Sequence, residues 1–321
     1  MGLLLFRGLE GFGVATSIRE ERRTPAHPLL DRIGETPLVE LQRIPEGLRL
    51  FAKLEGANPG GSVKDRAARA IVLDAWDAGQ LPGKRLLDST SGNTGIAYAM
   101  LGAALGFGVT LCLPGSASPE RRKILRAFGA ELIETDPGEG SDGAILEARR
   151  LAAREPERYH YADQYSNAAN PRAHETGTGP EILRQLDGTP LDLFVAGLGT
   201  SGTLVGTARF LRRASPRTLC VSVEPDEGFH GIEGLKHMAS AIVPPIFEPS
   251  LIHRRESVST ELAQAMTLRL AREEGILAGV SSGAAVLAAL RAARETGART
   301  AVVIVPDRGE RYLSESFWEA A

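Results

Sequence analysis

The chain has 321 residues, 43% of them hydrophobic, and its 37 basic and 40 acidic residues leave a formal net charge of −3. That length can bury one large or two moderate cores. The two signs of charge are mixed along the chain, which excludes the basic footprint of a nucleic-acid binder or of a protein held on an anionic membrane and favours small-molecule chemistry.

In chain order, Met1 to Phe6 is apolar but is broken at once by Arg7 and Glu10. It is too short for a signal-peptide core or a bilayer span and is expected to lie as an arm on the protein or on a partner subunit. Strands are then expected over 48–54, 85–88, 109–113, 131–134, 191–196, 218–223 and 300–305. Between them come a helical run over 65–70 and alanine-rich amphipathic helices over 96–105, 120–128, 144–154, 203–213, 260–274 and 284–295. This alternation predicts an α/β chain whose parallel sheet is covered on both faces. Gly, Pro and Ser mark loops at 114–119 and 135–142, and the polar stretch 164–171, ending in Asn170-Pro171, reads as a crossover between two subdomains. Cys112 and Cys220 each sit in an apolar strand-like run, so they read as small core residues rather than a disulfide or a metal pair, in keeping with a reducing cytoplasm.

Lys64 is the most informative residue. It follows the loop Glu55-Gly-Ala-Asn-Pro-Gly-Gly-Ser-Val63 and precedes the helical run that begins at Asp65. A cation at a helix start opposes the helix dipole, so position alone gives it no structural purpose. An amine pointed from such a turn into a cavity can serve as a Schiff-base nucleophile.

Two glycine-rich turns each follow an expected strand and open an expected helix. They are Ser89-Thr-Ser-Gly-Asn-Thr-Gly95 and Gly197-Leu-Gly-Thr-Ser-Gly-Thr203. Free amides at a helix start, with Ser and Thr hydroxyls beside them, make an anion cradle. Ordinary helix capping would account for either turn alone, but two glycine-dense copies argue for two anion sites. Neither ends in the Gly-Lys-Ser/Thr of a nucleotide loop, and the second has no ribose-binding acid downstream, so a dinucleotide is disfavoured. A Schiff-base lysine, a phosphate cradle and a carboxylate cradle together describe a pyridoxal-phosphate enzyme acting on an amino acid.

From about Leu29 to Phe317 the chain resembles the cysteine synthase and cystathionine β-synthase family of the tryptophan-synthase-β-like fold. The resemblance is carried by Ile33-Gly-Glu-Thr-Pro-Leu-Val39, Lys53 to Arg66, Thr90-Ser-Gly-Asn-Thr-Gly95, Gln164-Tyr-Ser-Asn-Ala-Ala-Asn170, Thr178-Gly-Pro-Glu-Ile182, Gly199-Thr-Ser-Gly-Thr203, Glu273 to Gly283 and Pro306-Asp-Arg-Gly-Glu-Arg-Tyr-Leu313, in family order. It implies two open twisted α/β subdomains with the cofactor between them. Residues 1–59 and 166–321 would form the larger, phosphate-binding domain, and 60–165 the smaller, mobile, carboxylate-binding one. Lys64 would carry pyridoxal 5'-phosphate and move the Cα proton. Gly199, Thr200, Ser201, Gly202 and Thr203 would bind its phosphate, Asn93 its 3′-oxygen and Ser281 its pyridine nitrogen. Thr90, Ser91, Gly92 and Thr94, with Gln164, would hold the substrate carboxylate.

The implied reaction is β-replacement through an aminoacrylate, with an activated L-serine and sulfide or another sulfur donor giving L-cysteine, in a cytoplasmic homodimer. The segment Glu224 to Met238 is shorter than in the commonest acetylserine-using members. It resembles the second cysteine synthase type and the phosphoserine-using enzymes, which place an arginine where Lys236 falls. Lys236, aided by His237 or His230, would then meet a phosphate leaving group, while a solvated surface lysine would explain the same residue. O-acetyl-L-serine and O-phospho-L-serine both stay open. So do cystathionine β-synthesis from L-serine and homocysteine and, in another class, an inactive scaffold that only binds.

Overall fold

The computed structural model describes residues 25–45, 47–90 and 92–319. The expected N-terminal arm and Ser91 lie outside them. Two sheets organise the chain. The larger contains β1 (Leu38–Glu40), β2 (Arg49–Leu54), β7 (Leu193–Gly197), β8 (Leu219–Pro225), β9 (Arg254–Val258) and β10 (Thr300–Val305), in the order β1-β2-β10-β7-β8-β9. Only β1 runs antiparallel. The smaller contains β3 (Arg85–Ser89), β4 (Val109–Pro114), β5 (Glu131–Thr135) and β6 (Tyr159–Tyr161), all parallel, in the order β5-β4-β3-β6.

Each central strand is apolar on both faces because helices cover both. In the larger sheet Leu50, Ala52, Val195, Val221 and Val303 face α8 (Thr260–Glu274) and α9 (Val280–Thr296), whereas Phe51, Phe194, Cys220, Val302 and Ile304 face α6 (Gly179–Gln185) and α7 (Gly202–Ala214). The alternation is the two-residue period of a strand. Small residues let α8 and α9 meet at backbone distance: a Cβ on Gly283 would stand 2.2 Å from the Ala263 carbonyl oxygen. In the smaller sheet Leu86 and Leu111 turn to α1 (Lys64–Asp77), α2 (Asn93–Leu105) and α3 (Pro119–Ala127), and Leu87 and Cys112 turn to α4 (Gly140–Arg154). Leu30 and Ile33 join the first of these two cores although they precede β1.

All seven expected strands form, with ends displaced by no more than two residues, and the expected helices form with ends within four residues, except that the run over 65–70 is part of the longer α1, Lys64–Asp77. Both cysteines are buried and unpaired. The sequence reading missed β1, β6 and β9, which are edge strands. β9 carries Arg254, Arg255 and Glu256, the charged composition that protects an edge from pairing with another chain. It also missed the connection from α5 (Ala169–Ala173) through a π-helical turn (His174–Thr178) into α6, a stretch where Pro171, Gly177 and Pro180 obscure helical periodicity. Among the described residues no helix is long and apolar enough to cross a membrane.

In open α/β sheets ligands collect beyond the carboxyl ends of the strands. Here the ends of β2, β3, β7 and β10 release the chain into the segments that bound one cavity between the two sheets, about 260 Å³ in volume.

Candidate active site

Lys64 is the first residue of α1, and its side chain lines this cavity. The turn before it is pinned by Val63 N–H donating to Pro306 O (2.8 Å) and Lys64 N–H donating to Ser62 Oγ (3.2 Å). Burial pushes the Lys64 ammonium below its usual range, and the carboxylate of Asp307 opposes that shift. A desolvated amine is closer to its neutral, nucleophilic form.

The first glycine-rich turn closes one side of the cavity. Thr90 N–H donates to Cys112 O (2.9 Å), Gly92 N–H donates to Thr90 Oγ1 (3.1 Å), and α2 starts at Asn93. Thr94 Oγ1 donates to Gln164 Oε1 (2.7 Å) and Gln164 Nε2 donates to Ser89 O (3.1 Å). The crossover residue Gln164 is thereby fixed against the turn from 70 residues away. Beneath them the buried carboxyl of Asp88 accepts from the amides of Ser89 (2.8 Å) and Gln164 (3.3 Å). Burial raises its pKa to about 7 against the pull of those two bonds.

The second turn lies opposite, between β7 and α7. Ser201, its helix cap, holds a left-handed conformation (φ 69°) that a non-glycine residue adopts only under constraint. The turn is closely packed on both sides of Ser201: a Cβ on Gly199 would stand 2.3 Å from Gly234 O, and one on Gly202 would stand 1.9 Å from Asn170 Oδ1. Asn170 Nδ2 donates both to Thr200 Oγ1 (3.0 Å) and to Gln164 O (2.8 Å), so a single amide ties the two turns together. Thr203 Oγ1 meets His174 Nε2 (3.3 Å), whose Nδ1 meets Thr178 Oγ1 (2.8 Å).

Ser281, the second residue of α9, is buried on the cavity wall. Lys236 also reaches the wall. Its side chain is 10% exposed, its Nζ lies 3.5 Å from Asp142 Oδ1 and 5.0 Å from the centroid of the Tyr165 ring. It is therefore not a solvated surface lysine. His230 and His237 are not part of the cavity lining. The first accepts from Ile232 N–H (3.2 Å) and the second meets Ser240 Oγ (2.8 Å).

A family model described as pyridoxal-phosphate dependent enzyme matches residues 29–307. The chain belongs to that family. It falls with the cysteine synthases. The Aquifex aeolicus cysteine synthase is 47% identical over 309 residues, covering 93% of this chain and 94% of the relative. Among solved structures, O-ureido-L-serine synthase is 40% identical with a TM-score of 0.86, covering 92% of this chain and 96% of that one. The cysteine synthase of Entamoeba histolytica is 38% identical with a TM-score of 0.85, covering 97% and 94%. The fold is the tryptophan-synthase-β-like fold of these pyridoxal-phosphate enzymes, and the cofactor of this enzyme is pyridoxal 5'-phosphate.

The residues present fit that cofactor. Ser201 Oγ is buried with no hydrogen-bond partner among the described residues, at the start of a helix whose first amides lack intrahelical acceptors. A phosphate would satisfy both. The close approaches at Gly199 and Gly202 show why side chains are absent from that cradle.

Several cavity residues escaped the sequence reading. Asp307 and Tyr312 line the cavity and Arg311 bonds to its wall at Asn93; all three lie in a motif already used for the family resemblance, and Asp307 follows the end of β10, where the strand-end rule points. Asn93 Nδ2 donates to Asp307 Oδ2 (2.7 Å), and Arg311 donates to Asn93 Oδ1. Arg121 of α3, which packs on the smaller sheet, donates to Glu233, which precedes Lys236 in the segment after β8 of the larger sheet, and both line the cavity. Nothing local in the sequence pairs residues 112 positions apart.

Proposed function

We propose that this chain is a cysteine synthase that replaces the β-substituent of an activated L-serine with sulfide or another sulfur donor, giving L-cysteine. The observation that carries the reading is Lys64, a desolvated amine at a helix start with an anion cradle on either side, in a chain 47% identical to a cysteine synthase. Pyridoxal phosphate, when bound, supplies the electron sink for the charge left at Cα. Lys64 Nζ holds the cofactor and moves the Cα proton. The amides and hydroxyls of Gly199 to Thr203 bind its phosphate, Asn93 meets its 3′-oxygen, and Ser281 meets its ring nitrogen. A serine hydroxyl does not force ring protonation as a carboxylate would, which favours elimination and replacement over transamination. Thr90, Ser91, Gly92, Thr94 and Gln164 hold the substrate carboxylate. Gln164 Nε2 donates one hydrogen to Ser89 O and has a second free for that purpose.

We infer that residues 60–165 move as the smaller domain against 1–59 and 166–321. In support, the smaller sheet is contained within residues 85–161, and the Arg121–Glu233 and Lys236–Asp142 ion pairs both span the cavity mouth. The packing of Leu30 and Ile33 would carry that short segment with the smaller domain. Closure would exclude water from the reacting centre. We also infer a homodimer in the cytoplasm, a compartment that suits two unpaired cysteines.

O-acetyl-L-serine is the substrate we infer. Each cavity-mouth cation already faces a carboxylate, so a phosphate would have to displace Asp142 from Lys236, whereas acetate would not. O-phospho-L-serine is the second reading, favoured by two cations, Arg121 and Lys236, that line the cavity. Turnover of both serine esters with sulfide, by the native enzyme and by Lys236→Ala, tests the choice. We expect faster turnover of the acetyl ester, changed less than threefold in the variant. A phosphoserine turnover that exceeds it and collapses on Lys236→Ala would reverse the assignment.

A further inference from the structure

We propose that Asp307 is a positioning residue for Lys64, the counter-charge and hydrogen-bond acceptor that holds the lysine as an ammonium between its two proton transfers. The inference rests on Lys64 being the amine that carries the cofactor. Once free of the cofactor, that amine would take the proton leaving Cα and so would be a cation inside the cavity it lines. A buried cation persists only beside a carboxylate.

Asp307 is placed for this task. Ser62 and Asp307 form an isolated antiparallel bridge, and Pro306 O accepts from Val63 N–H (2.8 Å), so the aspartate's backbone is fastened to the turn that presents Lys64. Its side chain is buried on the cavity wall. Oδ2 is occupied by Asn93 Nδ2 (2.7 Å) and by the Tyr312 hydroxyl. Oδ1 is buried and has no partner among the described residues. The space it fills exists because residue 279 is glycine, where a Cβ would stand 2.3 Å from Oδ1. A carboxylate with one oxygen fixed by two donors and the other buried without a partner, on the wall of the cavity that Lys64 also lines, has the form of an acceptor in waiting.

The surrounding charges leave the role to this pair. Lys64 feels the carboxylate of Asp307. His174 also feels Lys64, but burial first, then Arg66 and Lys64, push it well below its ordinary range, so it stays neutral and offers no charge. Burial pushes the Asp307 carboxyl above its ordinary range, and the bonds from Tyr312 and Asn93 and the charges of Arg311 and Lys64 oppose that shift; of the nearby arginines, Arg121 is committed to Glu233 and Arg311 to Asn93 Oδ1 and Gly60 O.

The test uses the full chain stripped of cofactor. Trace acetylation across a pH series, read by mass spectrometry at Lys64, reports the fraction of free amine without requiring catalysis. Asp307→Asn keeps the shape and removes the charge, so the labelling midpoint should fall by about one pH unit or more, a tenfold change in proton affinity. Tyr312→Phe keeps the charge and removes one donor from Oδ2, so its midpoint should stay near the native value. An unmoved midpoint in Asp307→Asn, or an equal fall in both variants, would overturn the proposal. Loss of the Lys64–cofactor linkage itself, read on the native holoenzyme, would instead unseat the lysine assignment.

Discussion

Replacing Glu181 by Gln tests what holds Lys64 in place. Lys53, Glu55, Arg66 and Glu181 are all buried and their charges cancel. Arg66 donates to Glu55 (2.6 and 2.9 Å) and to Glu181 (2.6 and 2.7 Å), and Lys53 Nζ donates to Glu181 Oε2 (2.8 Å), Gln185 Oε1 (2.8 Å) and Thr36 O (2.7 Å). The cluster fastens β2 and α6 to α1 two residues beyond Lys64. Burial raises the Glu181 pKa, but the bonds and charges of Arg66 and Lys53 outweigh it and bring the group from 4.5 to about 2. At about 1.4 kcal/mol per unit, that shift corresponds to about 3 kcal/mol of stability. Breaking one partner out of a buried ion pair costs about 3–5 kcal/mol, an independent figure of the same size. Because the folded pKa is depressed, this stability is fully present above about pH 4.5 and is lost as pH falls toward 2. Urea denaturation followed by circular dichroism should therefore show Glu181→Gln less stable by about 3 kcal/mol at neutral pH, with the native–variant gap narrowing through the acid range. The double change Lys53→Met with Glu181→Leu, which leaves Arg66 on Glu55, should recover most of the loss. A single-variant cost below about 1 kcal/mol, or a gap that does not change with pH, would refute the reasoning.

Gly202→Ala should weaken cofactor binding at least tenfold, about 1.4 kcal/mol. The new Cβ would overlap Asn170 Oδ1 and displace the amide that joins Thr200 to Gln164. Fluorescence titration of the stripped protein with pyridoxal phosphate measures it, and an unchanged Kd would show that the turn adapts. Arg121→Ala should lower kcat/KM about tenfold while leaving cofactor affinity unchanged, because it removes a charge-assisted bond that spans the cavity mouth. Native kcat/KM in that variant would remove the bridge from the account.

Much of the fold was legible because the central strands carry it. Val302, Val303 and Ile304, or Leu86 and Leu87, are apolar on both faces because both faces are covered, and such runs announce themselves. Of the edge strands only β5 did: β9 reads as a charged segment, and β1 and β6 span three residues each. Lys64 and the two glycine-rich turns were legible because each is local, a strand end, a tight turn and a helix start within a dozen residues. The rest of the cavity wall is assembled from distant pairs. Asn93 meets Asp307 across 214 positions and Arg121 meets Glu233 across 112. Lys236 was found by resemblance, but its partner Asp142 lies on α4, which packs on the smaller sheet, and has no sequence signal.

The central claim is that Lys64 carries the cofactor. Borohydride reduction of the native holoenzyme, followed by peptide mapping, should place the reduced pyridoxyl group on the peptide containing Lys64, and Lys64→Ala should show neither that adduct nor turnover. An adduct on another lysine, or cysteine formation retained by Lys64→Ala, would contradict the account.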